Sequence, residues 1–334
     1  MKRALITGVA GQDGSYLAEL LLDKNYEVHG IIRRVALEDE THRLWRIRDL
    51  RDKLNLHSGS LESFPSLAKI INKVQPDEIY HLAAQSYVAN SFEDEFSTIN
   101  TNVNGTHYML ASMKEFSTNS KFYFAGSSEM FGKTVETPQN EETRFYPRSA
   151  YGISKVTGFE FTRNYREAYN LFASTGILFN HESPRRGFEF VTRKISLAVA
   201  KIKNNLQNEL RLGNLDAKRD WGHARDYVEA MWLMLQQKKP QDFVIATGIQ
   251  YTVKSFIEIV SKKLNMQIKW KGKGLKEKGF YDSKNIIAID RKYFRPTEVD
   301  NLLGDYTKAK KYLKWKPVHD IESLVDDMIS SELS

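Results

Sequence analysis

Arg3-Ala4-Leu5-Ile6-Thr7-Gly8-Val9-Ala10-Gly11-Gln12-Asp13-Gly14-Ser15-Tyr16-Leu17 is a short apolar strand, a glycine-rich turn and the start of an apolar helix, in that order. A turn of this kind lets backbone approach a diphosphate closely, and the helix N-terminus beyond it presents free N–H groups. Gly8, Gly11 and Gly14 follow G-x-x-G-x-x-G spacing rather than G-x-G-x-x-G. Glycine spacing alone would fit a tight structural turn equally well. Its position directly after the first strand is what makes it a dinucleotide site. Far downstream, Tyr151-Gly152-Ile153-Ser154-Lys155 puts Tyr151 and Lys155 one helical turn apart on a shared face. The two features together point to redox chemistry on a bound dinucleotide.

Working outward, apolar runs that read as strands alternate with helical stretches through roughly residue 180. The strands are Ala4 to Thr7, Tyr26 to Ile32, Leu54 to His57, Glu78 to Ala84, Phe122 to Ala125 and Phe172 to Leu178. Between them the pattern predicts helices at Ser15 to Leu22, Leu67 to Val74, Asn102 to Lys114 and Tyr151 to Tyr169. This alternation predicts an α/β fold, a Rossmann-type doubly wound parallel sheet. After Asn180 the pattern breaks, and Ser183 to Gly187 reads as loop. Helices then dominate: Thr192 to Asn204, Asp226 to Gln237, Val253 to Lys263, Thr307 to Leu313 and Ile321 to Ser330. Phe243 to Ala246 reads as a strand returning to the sheet. The expected organisation is a dinucleotide-binding domain over 1–180, plus a returning strand near 240–250. A smaller, interleaved, mainly helical substrate lobe occupies 181–334. Lys271 to Lys284, rich in Gly and Lys, reads as a mobile surface loop.

With 334 residues the chain can bury a substantial core. No apolar run approaches the length of a membrane span, and Gly8 to Gly14 interrupt the N-terminal apolar stretch too early for a signal peptide. The absence of cysteine removes disulfides, thiolate catalysis and Cys-based zinc sites. The eight histidines show no metal-ligand spacing. The expected compartment is the cytoplasm. A net charge of +7 raises a nucleic-acid reading. The basic residues are dispersed and no recognition motif accompanies them, so an anionic small substrate such as a nucleotide diphosphate accounts for the charge equally well.

The second strand ends in Arg33-Arg34, where NAD-selective sites usually carry an acid. Paired guanidinium groups there suit a 2′-phosphate, so the expected cofactor is NADP; a solvated Arg pair is the alternative. Ala125-Gly126-Ser127-Ser128-Glu129 follows an apolar strand and so lies at the ligand-binding edge of the sheet. A free phenol has a pKa near 10. A neighbouring ammonium and a nicotinamide cation would make Tyr151 a usable base for a sugar hydroxyl, with Ser127 hydrogen-bonding to the same hydroxyl. In an extended segment Ser127 and Glu129 point the same way. A carboxylate beside Ser127 is unnecessary for simple oxidation, but useful for taking a proton from carbon next to a new ketone. An unrelated surface Glu would explain Glu129 on its own.

These residues resemble the extended short-chain dehydrogenase/reductases and, within them, the GDP-mannose 4,6-dehydratase family. The similarity spans Ala4 to Leu17, His81-Leu82-Ala83-Ala84-Gln85-Ser86, Ser127 to Gly132, Gly176 to Gly187, Leu212 to Gly222 and Phe294 to Asp300. The resemblance implies that Tyr151, Lys155, Ser127 and Glu129 convert a GDP-sugar to its 4-keto-6-deoxy product. Ser127 stands where threonine is usual. The resemblance also implies that Gln12, Asp13, Leu82 and Ala84 meet the cofactor. Ser60-Leu61 stands at the adenine position, where Asp-Leu is usual. For the substrate it implies Ser86, Ser128, Asn180, Lys194, Arg219, Arg295 and Glu298, the later ones around diphosphate, guanine or ribose. A homodimer or homotetramer is expected, with dimer formation better supported because Val35 to Glu40 departs from the family's pattern. Tyr87-Val88-Ala89-Asn90 also departs, and could admit GDP-D-glycero-D-manno-heptose instead of GDP-mannose. Other readings are a GDP-sugar C4-oxidase, reductase or epimerase, which would not need Glu129, and a dinucleotide-sensing regulator, which would not need Tyr151 and Lys155.

Overall fold

A computed structural model describes residues 1–33, 43–294, 296–299 and 301–333. Arg34, Arg295 and the Val35 to Glu40 stretch therefore lie outside the described residues. The strands of the first part are β1 (Arg3–Thr7), β2 (Glu27–Ile32), β3 (Asn55–Ser58), β4 (Glu78–His81), β5 (Lys121–Ala125) and β6 (Phe172–Leu178). With β10 (Phe243–Ile245) they form a seven-stranded sheet in the order β10-β6-β5-β4-β1-β2-β3. Every neighbouring pair is parallel. Ala4, Leu5 and Ile6 are fully buried, as a central strand covered on both faces requires.

The helix Gln12–Asp23 buries Tyr16, Leu17 and Leu21 against one face of the sheet, together with Ala224–Leu235. The helices Phe64–Val74, Gly105–Phe116 and Ala150–Tyr169 cover the other face, around Leu67, Met109, Phe122 and Phe159. Ser149 accepts a 3.0 Å bond from the Gly152 amide, so the Ala150–Tyr169 helix starts with Tyr151 in its first turn. Asn170 ends it at φ 53°. Register aligns Thr7 with His81 and Ala125 with Gly176. The segments after β1, β4, β5 and β6 therefore leave the sheet along one edge. The chain order reverses between β1 and β4, which makes a ligand crevice there.

Beyond residue 180 the expected helices are present, and two sheets that the sequence did not announce lie among them. Here β7 (Asn180–Glu182), β9 (Lys218–His223) and β11 (Gln250–Thr252) form a three-stranded sheet. A four-stranded sheet runs β12-β13-β14-β8, from Lys269–Lys271, Lys278–Tyr281, Lys284–Ile289 and Leu210–Leu212. Both contribute to a core around Val199, Trp221, Phe256, Ile287 and Met328. The stretch Lys271 to Lys284 is not a free loop. It carries β13 and the turn into β14, where Asp282 and Ser283 take φ 46° and 64°, the left-handed pair a two-residue hairpin demands. Glu78 to Ala84 is strand only to His81. Among the described residues no helix is long and apolar enough to cross a membrane.

Candidate active site

A cleft of about 720 Å³ opens at the carboxyl edge of the parallel sheet and continues to the second group of sheets. At its floor, the glycines of the first turn act for separate reasons. Gly8 sits at φ +74°, a conformation glycine adopts without strain. A Cβ on Gly14 would lie 2.1 Å from the Gly8 carbonyl oxygen, so no side chain fits between helix and turn. Gly11 precedes the helix without a side-chain cap. The first helical N–H groups are thus left for an external acceptor. A turn closed to any Cβ, followed by an uncapped helix start, fits a dinucleotide diphosphate.

Ser127 stands two residues beyond β5 and accepts from the Glu129 amide at 3.3 Å. Ser128–Met130 is a single 3-10 turn, not the extended segment expected. The turn nevertheless keeps Ser127, Ser128 and Glu129 all on the cleft wall. Gly152 makes the approach of Tyr151 to this turn possible, because a Cβ there would lie 2.8 Å from the Glu129 carbonyl oxygen. Tyr151 is buried, and burial pushes its phenol up to about 12; hydrogen bonding to Ser127 opposes this and the Glu129 charge adds to it. Burial sets the direction of this shift; the positive nicotinamide of the sequence expectation would act against it. Lys155 Nζ donates to the Ala125 carbonyl at 2.8 Å and lies 5.8 Å from the Tyr151 ring centroid. Burial brings its ammonium down to about 8, with Asp13 opposing.

The opposite wall comes from β7, β9, the helix Val191–Lys203 and the segment after β14. Asn180, Lys194, Arg219 and Glu298 all line it. Arg219 Nη2 pairs with Glu298 Oε1 at 3.2 Å. Lys194 donates to the Arg211 carbonyl at 2.7 Å and stands 3.6 Å from the Tyr293 ring centroid. Gly8, Gly11, Gln12, Asp13, Gly14, Leu82, Ala84 and Ser86 line the cleft as well. Arg33, Ser60 and Leu61 are outside its lining, on the segments that follow β2 and β3 along the same edge. Arg33 is exposed, and its carbonyl accepts from Arg43 at 2.5 Å.

Sequence reading missed Tyr293 and Arg186, both in the wall; no motif flags them singly. It also missed Asn102, which lies in a π-helical segment, Asn100–Asn104. Asn102 Nδ2 donates to the Gln85 carbonyl at 3.0 Å and to Ser154 Oγ at 2.9 Å, while its Oδ1 accepts from the Gln85 amide at 2.8 Å. That side chain ties the loop after β4 to the helix that carries Tyr151. Among the described residues no His, Asp and Glu cluster could hold a metal ion.

The parallel sheet, the glycine cradle and the Ser, Tyr, Lys and Glu side chains around one cleft define a Rossmann-type enzyme of the extended short-chain dehydrogenase/reductase class. The chain belongs to the GDP-mannose 4,6 dehydratase family, whose model matches residues 5–328. It is 51% identical over 340 residues to a GDP-mannose 4,6 dehydratase of Drosophila melanogaster, covering 99% of this chain and 86% of that one. It is 50% identical over 339 residues to a GDP-mannose 4,6 dehydratase of Homo sapiens, covering 99% and 91%. In fold it is similar to UDP-glucuronic acid 4-epimerase from Bacillus cereus, solved with UDP-glucuronic acid and NAD, at TM-score 0.83 and 20% identity, covering 99% of both chains.

Proposed function

We propose that this chain is a hydro-lyase that converts GDP-mannose to GDP-4-keto-6-deoxymannose. The observation that carries the reading is Glu129 in one cleft with Ser127, Tyr151 and Lys155. Tyr151 takes the proton of the 4-hydroxyl, and Ser127 hydrogen-bonds to the same oxygen. Lys155 holds positive charge near the phenol and helps it to ionise. A dinucleotide whose diphosphate is held by the Gly8–Gly14 cradle would supply a nicotinamide able to take the C4 hydride and return it at C6. Glu129 takes the C5 proton, acidified by the 4-ketone, and passes a proton to the departing 6-hydroxyl, which leaves as water. Hydride arrival at C6 leaves an enolate; C5 takes a proton from solvent and Tyr151 releases the one it took. Oxidation at C4 and reduction at C6 then balance, and the net change is loss of one water. Oxidase, reductase and epimerase readings give Glu129 no task, and a sensing regulator gives none to Tyr151 and Lys155.

Asn180, Lys194, Arg219, Arg295 and Glu298 hold the GDP group, with Ser86 and Ser128 nearer the sugar. Leu82 and Ala84 meet the cofactor. Residues 1–180 with the returning strand form its binding domain, and 181–334 the nucleotide-sugar lobe. The relatives are named for mannose, so the manno-heptose substrate is not favoured. We assign a homodimer or homotetramer, supported by exposed Phe96, Ile153 and Tyr169 on the outer helices, and a cytoplasmic location, supported by the cysteine-free chain.

The test is mass spectrometry of the products from GDP-mannose and GDP-manno-heptose, offered in equimolar amounts. Loss of one water from GDP-mannose, faster than from the heptose, is expected. Intact substrates, or loss of two hydrogens only, would overturn the reading.

For the cofactor we assign NADP, through Arg33 and Arg34 at the end of β2, with Ser60-Leu61 after β3 beside adenine. Arg33→Ala is expected to weaken NADP binding about tenfold or more while changing NAD little, as befits loss of one charge-assisted contact. Titration of the purified protein with each dinucleotide decides it, and equal losses for both would refute the assignment.

A further inference from the structure

Between the glycine turn and β7 lies a set of buried polar contacts that the chemistry above does not use. Gln12 Nε2 donates to the His181 carbonyl and to Asp13 Oδ1, each at 3.0 Å. Ser183 Oγ donates to Gln12 Oε1 at 2.8 Å. His181 Nε2 meets Asp13 Oδ2 at 2.8 Å, and His181 Nδ1 meets the Phe179 carbonyl at 2.7 Å. Tyr227 stacks on the imidazole at 4.5 Å.

The partners fix the protonation state. A backbone carbonyl only accepts, so Nδ1 carries a hydrogen. An ionised carboxylate only accepts, so Nε2 carries one too. His181 is therefore an imidazolium facing the Asp13 carboxylate. The pair's pKa values agree in direction: Asp13 is held below, and His181 above, its ordinary value, each chiefly by the other's charge once burial is overcome.

Asp13 stands in the first turn of the helix whose start forms the diphosphate cradle. An unopposed carboxylate there would repel a diphosphate. Its countercharge comes from the strand that carries Asn180. The connection continues: Glu182, fully buried on the same strand, accepts from Thr192 Oγ1 at 2.6 Å and pairs with Arg186 at 2.9 Å. Thr192 lies in the first turn of the helix that bears Lys194.

We propose that Gln12 and Asp13, clasped to His181 and Ser183, couple occupancy of the cofactor turn to the geometry of the GDP-binding wall. This inference rests on the reading above of a cofactor on one side and GDP on the other. These are positioning residues: filling the cradle fixes Asp13, Asp13 fixes His181 and β7, and Glu182 carries the constraint to the helix of Lys194. Such coupling is reciprocal, so GDP must tighten NADP by the factor by which NADP tightens GDP.

The test is calorimetric titration of GDP into the full chain with and without saturating NADP. The wild type is expected to bind GDP about fivefold or more tightly when NADP is present. In His181→Gln and in Asp13→Asn that ratio falls to near one, and the double variant is no worse than either single variant. A wild-type ratio of one, or a full ratio retained in His181→Gln, overturns the clasp while leaving the dehydratase reading standing. A wild type that binds neither GDP nor NADP overturns both. Nitrogen NMR of the unmutated protein gives a check independent of variant folding. The His181 ring is expected to show both nitrogens protonated at neutral pH, and to respond to NADP and to GDP added singly. A neutral-tautomer pattern refutes the ion pair.

Discussion

Glu129→Gln is expected to bind GDP-mannose and cofactor as the wild type does and to lose dehydration by at least about a hundredfold, the usual size of a general-base contribution. The substitution is nearly isosteric. The backbone of the 3-10 turn would keep its 3.3 Å bond from the Glu129 amide to Ser127 and its close packing on Gly152. What disappears is a group able to hold the C5 proton. Incorporation of solvent deuterium at C5 reads that step directly: it should accompany turnover in the wild type and vanish in the variant. Turnover at the wild-type rate would remove Glu129 from the mechanism.

The cleft's first wall was legible in the sequence because its residues are close together in the chain and bound to secondary structure of strong period. A buried central strand has to be an apolar run such as Ala4 to Ile6, and a turn closed to Cβ atoms has to be glycine at Gly14. The sheets beyond residue 180 were not legible. Strands such as Asn180–Glu182 and Leu210–Leu212 are three residues long, too short for alternation to register. The hairpin turn Asp282-Ser283 lacks the Asn-Gly or Asp-Gly pair that announces such turns. The Arg219–Glu298 pair joins residues 79 apart, and Asn102 acts through Gln85 and Ser154, 17 and 52 positions away. Only tertiary structure brings these together. The burial of Tyr151 was hidden for a similar reason. Spacing put a cation one turn away, but the depth of burial, which decides the direction of the shift, is a property of the whole fold.

Tyr151→Phe should stop the reaction one step earlier than Glu129→Gln. Burial holds the phenol at about 12 and the Lys155 ammonium at about 8. Proton removal from the 4-hydroxyl thus depends on a phenol that ionises only with help from Lys155 and from the positive nicotinamide. Phenylalanine keeps the buried ring and its place in the first helical turn but cannot take the proton. The expected fall in kcat is about 10²- to 10⁴-fold, with KM for GDP-mannose little changed, since the lost interaction belongs to the reacting hydroxyl. Lys155→Met should fall comparably, and the double variant no further, because the two side chains act as a unit. Borodeuteride trapping then separates the steps. Glu129→Gln should still yield a deuterium label at C4, because oxidation there precedes the proton loss it cannot perform. Tyr151→Phe should yield none. A C4 label in Tyr151→Phe at the level of Glu129→Gln would take the 4-hydroxyl proton away from Tyr151 and assign it to another group on the cleft wall, first Ser127, which hydrogen-bonds to the phenol.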